Sequence, residues 1–242
     1  MAGNIEEEKG VAVLVGAAPG FGASLAHAFA QDGFKVAGLS RSEEYGARLT
    51  EDIAKAGGAY QHYICDATEP GRLANVIDDI AHNQGIPSVL IYNPMKLVVT
   101  PFLELAPEDF EASWRATTFG AMAAAQTVLP HMLKAGGGAI IFTGATAAVK
   151  GNPRFTAFAS AKFALRGLAQ SLAREFGPKG VHIVHTILDG IIWSPQSLER
   201  FGVLRDKCLD PDAIARSYVH LTHQEPSAWT HEIDMRPFDE KF

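Results

Sequence analysis

The sequence predicts an open α/β fold, a doubly wound parallel sheet in a single domain, from three observations. Short apolar runs alternate with helical stretches along most of the chain. Most of those runs are continuous, as expected of strands covered by helices on both faces. The first run passes through three glycines, Gly16, Gly20 and Gly22, into an amphipathic helix. The composition agrees: 242 residues, 47% hydrophobic and 20% charged, suit one sizeable core.

The elements follow in order. "VAVLVG" predicts a strand over 11–16, and the glycine turn opens a helix over 20–31. "KVAGLS" is a second strand (35–40), followed by a helix through 56. "AYQHYIC" is a third (59–65), with a helix over 69–83. "SVLIYN" is a fourth (88–93), and one long helix is expected over 107–134. "GAIIFTG" is a fifth (138–144), followed by a helix through "PRFTAFASAKFALRGLAQ" to 176. "VHIVHTIL" is a sixth (181–188); a helix over 211–222 and a last strand over 230–235 complete the series. Repeated βα units imply right-handed crossovers. No linker or repeat interrupts them, so 1–242 reads as one domain, with 1–9 as a short frayed tail.

Several function classes are disfavoured. The net charge is −6 and no basic run occurs, so nucleic acid is not an expected partner. No stretch reaches the length of a membrane span, and "MAGNIEEEKG" lacks an apolar signal core. Cys65 and Cys208 form no CxxC pair, so neither a disulfide framework nor a zinc site is indicated. A cytoplasmic protein with reduced thiols is the expectation. "HLTH" places His220 and His223 at i, i+3, but no acidic partner or third ligand stands near, and no metal is expected. His182 and His185 should fall on opposite faces of the sixth strand.

In such a sheet, ligands bind at the carboxyl ends of the strands, near the switch point. The first turn therefore carries the most information. Gly16, Gly20 and Gly22 allow a sharp turn and close backbone approach to a pyrophosphate, which the helix N-terminus attracts. Strand, glycines and helix together point to a Rossmann-type dinucleotide site. At the end of the second strand stand Ser40 and Arg41. An acid there would bond a ribose 2′-hydroxyl; an arginine suits a 2′-phosphate, so NADP is favoured and NAD is the second candidate. Arg41 also fits a solvated helix start, with Ser42 as N-cap. Asp66, after the third strand, fits the adenine amine, and capping of the following helix suits it or Thr68 equally. Lys162, among phenylalanines and alanines, is either a snorkelling surface lysine or a working group in an apolar pocket.

These features, taken in order, resemble the short-chain dehydrogenase/reductase family over roughly 11–235. Gly16, Gly20 and Gly22, with Phe21 between them, match its cofactor glycines, although Val15 stands where a threonine is usual. Asp66 and the adjacent Ala67 match its adenine side. Asn93 in "YNPM" is what remains of an Asn-Asn-Ala-Gly signature. "LDGIIWS" resembles its Pro-Gly-x-x-x-Thr stretch: Asp189 replaces the proline, Gly190 matches, Ser194 stands for the threonine, and the backbone of Ile192 would meet the carboxamide.

The resemblance also implies a catalytic Asn-Ser-Tyr-Lys set. Here the lysine is Lys162, but the tyrosine position is Phe158, the serine position Ala145 and the asparagine position Thr117. A phenylalanine has no proton to give. Thr143 and Thr146 carry hydroxyls nearby and are candidates to replace the serine. Lys162 would still bond the nicotinamide ribose. The resemblance further implies a lid over 195–209 and a homodimer or homotetramer built on the long helix and the helix of Lys162. The pocket near Phe158, Ala145, Met95 and Trp193 would be apolar, which points to an apolar or aromatic small-molecule substrate. Three readings follow: an NADP-dependent oxidoreductase with a non-standard proton path, an NADP(H)-binding regulator that does not turn over, or a different reaction in the same cleft.

Overall fold

The computed structural model describes residues 9–240. Seven strands pair in parallel in the order β3-β2-β1-β4-β5-β6-β7. They are β1 Val11–Val15, β2 Lys35–Ser40, β3 Ala59–Ile64, β4 Pro87–Tyr92, β5 Gly138–Thr143, β6 Val181–Leu188 and β7 Glu232–Met235. β1 and β6 are buried throughout; β1 is an unbroken apolar run, whereas β6 also buries His182, His185 and Thr186. The strand order reverses direction between β1 and β4, and this opens a crevice above their carboxyl ends.

Two helical layers cover the sheet. α1 (Phe21–Gln31), α2 (Glu43–Lys55) and α8 (Pro211–Thr222) bury Leu25, Phe29, Ile53 and Tyr218 against one face. α3 (Pro70–Asn83), α5 (Gly120–Ala135) and α6 (Thr156–Phe176) bury Leu73, Val128 and Leu165 against the other. A short α7 (Pro195–Phe201) lies in the segment expected as a lid. None of the described helices is long and apolar enough to cross a membrane.

Three expectations are corrected. The long helix is continuous but not α-helical throughout: α4 (Pro107–Trp114) and α5 are joined by a π-helical turn over Arg115–Phe119. The buried Tyr92 hydroxyl donates to the Ala116 carbonyl at 2.6 Å and draws it out of the α-helical ladder. Residues 1–8 lie outside the described residues; Lys9, expected in a frayed tail, is held in place, with Nζ 2.9 Å from Asp32 and its carbonyl accepting from Ser88. The last strand starts at Glu232, because Thr230 bonds the Gln224 side chain instead of extending the ladder.

His182 and His185 do project from opposite faces of β6. His182 stacks on Trp229 with ring centroids 4.7 Å apart. His185 is fully buried and its Nδ1 donates to Glu232 at 3.1 Å. Arg166 of α6 grips the same carboxylate with two hydrogen bonds of 2.7 Å. Burial pushes the His185 imidazole down to about 4, against the pull of Glu232. An unfolded histidine takes up its proton near pH 6.5. The unfolded chain therefore binds more protons between pH 6.5 and 4, and stability from this group is lost as pH falls through that window, by about 3 kcal/mol at most. Thermal melts should show this loss, and His185→Gln should flatten it.

Candidate active site

The crevice at the switch point holds a cleft of about 800 Å³. Gly16, Ser40, Arg41, Asp66, Ala67 and Asn93 all line it. The sequence places these six at the ends of four different strands, and the strand order brings them together. The other expected cofactor residues, Gly20, Phe21, Gly22, Gly190, Ile192 and Ser194, do not line this cleft, and neither does Lys162.

Gly20 is the N-cap of α1 at φ 84°, a left-handed region that a side chain would strain. A Cβ on Gly22 would stand 2.4 Å from the Gly16 carbonyl oxygen, so the turn closes only with glycine there. No side chain caps α1 and its first turn holds no acid, so its leading N–H groups remain available to an anion. The Phe21 side chain is not part of the cleft. It is buried edge-on against Tyr218, with centroids 5.5 Å apart, so only its backbone faces the turn. Asn93 leans back toward the same turn, its Nδ2 3.5 Å from the Gly16 carbonyl.

At the β2 end, Arg41 is exposed and sits 4.0 Å from Asp66. Asp66 Oδ1 accepts from the Thr68 N–H and hydroxyl at 2.9 and 2.8 Å. Burial alone would raise this carboxyl, but the Thr68 bonds and Arg41 outweigh it and hold it below its ordinary value. Glu69, not Asp66, is the N-cap of α3. Ser42 does cap α2, accepting from the Tyr45 N–H at 3.3 Å.

At the β5 and β6 ends, Lys162 is no snorkelling residue. It is 1% exposed, and its Nζ donates to the Thr143 carbonyl at 2.5 Å. Burial without a carboxylate partner lowers its pKa to about 7. Its Nζ lies 5.7 Å from the centre of the Phe158 ring. Phe158 packs with Ala147 and Ala159, against Ala145, Leu97 and Phe155. Thr117 falls in the π-helical turn, fully buried, and its Oγ1 has no hydrogen-bond partner among the described residues.

Neither candidate threonine is free to stand in for a serine. The Thr143 hydroxyl accepts from Tyr218 of α8 at 3.0 Å, on the face opposite Lys162's helix. The Thr146 hydroxyl donates to Asp189 at 2.5 Å. Asp189 is also held 3.2 Å from Arg236. The odd aspartate at position 189 was visible in the sequence as a departure; Arg236, just past β7, gave no signal there.

The stretch after β6 keeps its backbone display. The Leu209 carbonyl accepts from the Trp193 N–H and the Leu209 N–H donates to Ile191, which turns the backbone groups of Ile192 the other way. Ser194 forms a reciprocal capping box with Ser197 at the start of α7 and still lies across from the glycine turn: a Cβ on Gly20 would be 3.6 Å from it. Trp193 is less available as an apolar surface than expected, because the Arg205 guanidinium sits 4.4 Å over its ring.

This arrangement belongs to a known class. Residues 10–196 match the family described as short chain dehydrogenase. The chain is a member of the short-chain dehydrogenase family of oxidoreductases. It is similar to the D-threitol dehydrogenase of Mycolicibacterium smegmatis, 29% identical over 221 residues that cover 87% of this chain and 85% of the relative. It resembles a crystal structure of a short-chain dehydrogenase from Rhodopseudomonas palustris, 34% identical, with a TM-score of 0.84 over 94% of this chain and 99% of that one. The fold is also that of an NADPH-bound short chain oxidoreductase from Pseudomonas aeruginosa described as containing an atypical catalytic center, at 21% identity and a TM-score of 0.88 over 97% and 98% of the two chains.

Proposed function

We propose that this protein binds NADP(H) in the switch-point cleft and reduces or oxidises a small apolar carbonyl or alcohol, with a proton that does not come from position 158. The observation that carries the reading is Arg41 beside Ser40 in the cleft: the end of β2 itself offers a hydroxyl and a guanidinium instead of the acid that would receive a 2′-hydroxyl. The uncapped, acid-free N-terminus of α1 supports it, since it suits a pyrophosphate. The NADPH bound by the Pseudomonas fold relative is consistent with it.

Bound there, the nicotinamide would supply or take a hydride. The chain's own residues then divide the remaining work. Gly16, Gly20 and Gly22 with the start of α1 hold the phosphates, and the backbone of Ile192 meets the carboxamide. Lys162 spends one N–H on Thr143 and keeps the others for ribose hydroxyls. Phe158 and Ala145 supply only apolar surface to the substrate. The alternative function, an NADP(H)-binding regulator, draws on that same apolar cluster.

Two tests follow. Arg41→Asp is expected to weaken NADPH binding about 10- to 100-fold, the worth of a charge-assisted bond, while NADH binding holds or improves. Fluorescence titration measures both; a wild type that prefers NADH would refute the cofactor assignment. Tight NADPH binding with no absorbance loss over a broad carbonyl panel would favour the regulator. We also read a homodimer or homotetramer built on α4, α5 and α6, supported by exposed Phe110 and Trp114 on α4 and Phe163 on α6. Light scattering at micromolar concentration tests that assembly.

A further inference from the structure

We propose that Tyr60 and His62 fix the Ser40 hydroxyl as a hydrogen-bond donor to the 2′-phosphate of NADP(H), which makes His62 a positioning residue for cofactor discrimination. The inference rests on the NADP(H) reading above.

The slot for these two side chains is built by missing ones. β2 and β3 pair Val36 with Tyr60 and Gly38 with His62. A Cβ on Gly38 would lie 2.1 Å from the Tyr60 hydroxyl oxygen, and one on Gly46 of α2 would lie 2.0 Å from His62 Cδ2. Two glycines on neighbouring elements thus admit two rings, which stack with centroids 6.1 Å apart. The stack ends at the cleft. Tyr60 Oη is 2.9 Å from His62 Nδ1, and His62 Nε2 is 3.3 Å from Ser40 Oγ.

The proton positions follow from what each group can do. Burial raises the Tyr60 phenol far above its ordinary range, so it keeps its proton. Its one hydrogen bond among the described residues is to His62, so the phenol donates to Nδ1. A neutral imidazole that accepts at Nδ1 carries its hydrogen on Nε2. Burial is also the main effect on His62 and lowers its pKa, which keeps the ring neutral. Nε2–H therefore donates to Ser40 Oγ, and the Ser42 N–H donates to the same oxygen at 3.4 Å. Both lone pairs of that oxygen are then used, and the Ser40 O–H is left to donate outward. Ser40 lines the cleft beside Arg41. A phosphate, rich in acceptors, meets a committed donor and a guanidinium there. A ribose 2′-hydroxyl, able to donate or accept, gains little from that commitment.

The test is a set of fluorescence titrations with NADPH and NADH on the folded full chain. His62→Phe is expected to weaken NADPH about tenfold and NADH less than about twofold, the loss of one hydrogen bond to a charged group. Ser40→Ala should lose a similar factor, and His62→Phe added to it should lose no more. His62→Gln, which keeps a donor, should recover most of the NADPH affinity, and Tyr60→Phe should show a smaller loss confined to NADPH. Equal losses for both cofactors, or unchanged NADPH binding in folded His62→Phe, would overturn the proposal. A wild type that favours NADH would instead remove the cofactor reading on which it stands.

Discussion

Phe158→Tyr combined with Ala145→Ser is expected to raise carbonyl reduction by about 100- to 10,000-fold, the usual worth of a positioned acid. The argument is local. Lys162 is already buried, held on Thr143, and lies 5.7 Å from the Phe158 ring. Adding a phenol to that ring places a titratable proton next to an ammonium, which lowers the phenol's pKa and readies it to donate. The serine hydroxyl at 145 would give the substrate oxygen a second partner in a cluster that now offers only carbon. NADPH absorbance loss over a carbonyl panel measures the gain. If the parent already turns over and the double variant gains nothing, another group supplies the proton, and the Thr146–Asp189 pair is then the first to substitute.

Lys162→Met is expected to raise the melting temperature of the cofactor-free protein by about 4 °C while weakening NADPH at least about tenfold. The lysine is fully buried with no acidic partner, and burial brings its pKa from 10.5 to about 7. Between pH 7 and 10.5 the unfolded chain holds a proton there that the folded protein does not. Stability from this residue therefore rises with pH across that window, and near pH 7 the ammonium costs the fold about 3 kcal/mol or more. Methionine fills a similar volume without that cost, and the loss of the bond to the Thr143 carbonyl returns only part of it. Differential scanning calorimetry at pH 7 and pH 10 tests the sign. The gain should shrink at the higher pH, and an unchanged gain would mean that packing, not charge, sets it.

Much of the site was legible because it lies where short-range pattern and topology coincide. The glycine turn, Ser40, Arg41, Asp66 and Asn93 each follow a strand, and strand ends are what apolar runs reveal. Lys162 was ambiguous in the sequence, since an apolar helix face suits a snorkelling lysine and a buried one alike; its 1% exposure decides the matter. The π-helical turn was not legible, because its cause is the Tyr92 hydroxyl reaching the Ala116 carbonyl from another layer. His62 escaped for a similar reason. Its meaning depends on Gly38 and Gly46, which read as ordinary glycines until strand register and helix packing bring them to the same ring. Arg236 is remote in sequence from Asp189, and nothing local links them.

That last pair bears on the order in which the protein is made. Arg166, His185 and Asp189 leave the ribosome well before Glu232 and Arg236, their partners on and just beyond the edge strand. A nascent chain stopped short of residue 232 has the glycine turn after β1 complete, while Asp189 has Thr146 but not yet Arg236. Until β7 is added, the six-stranded sheet carries an open edge along β6, and that interval is when the chain is most exposed to pairing with a neighbour of its own kind.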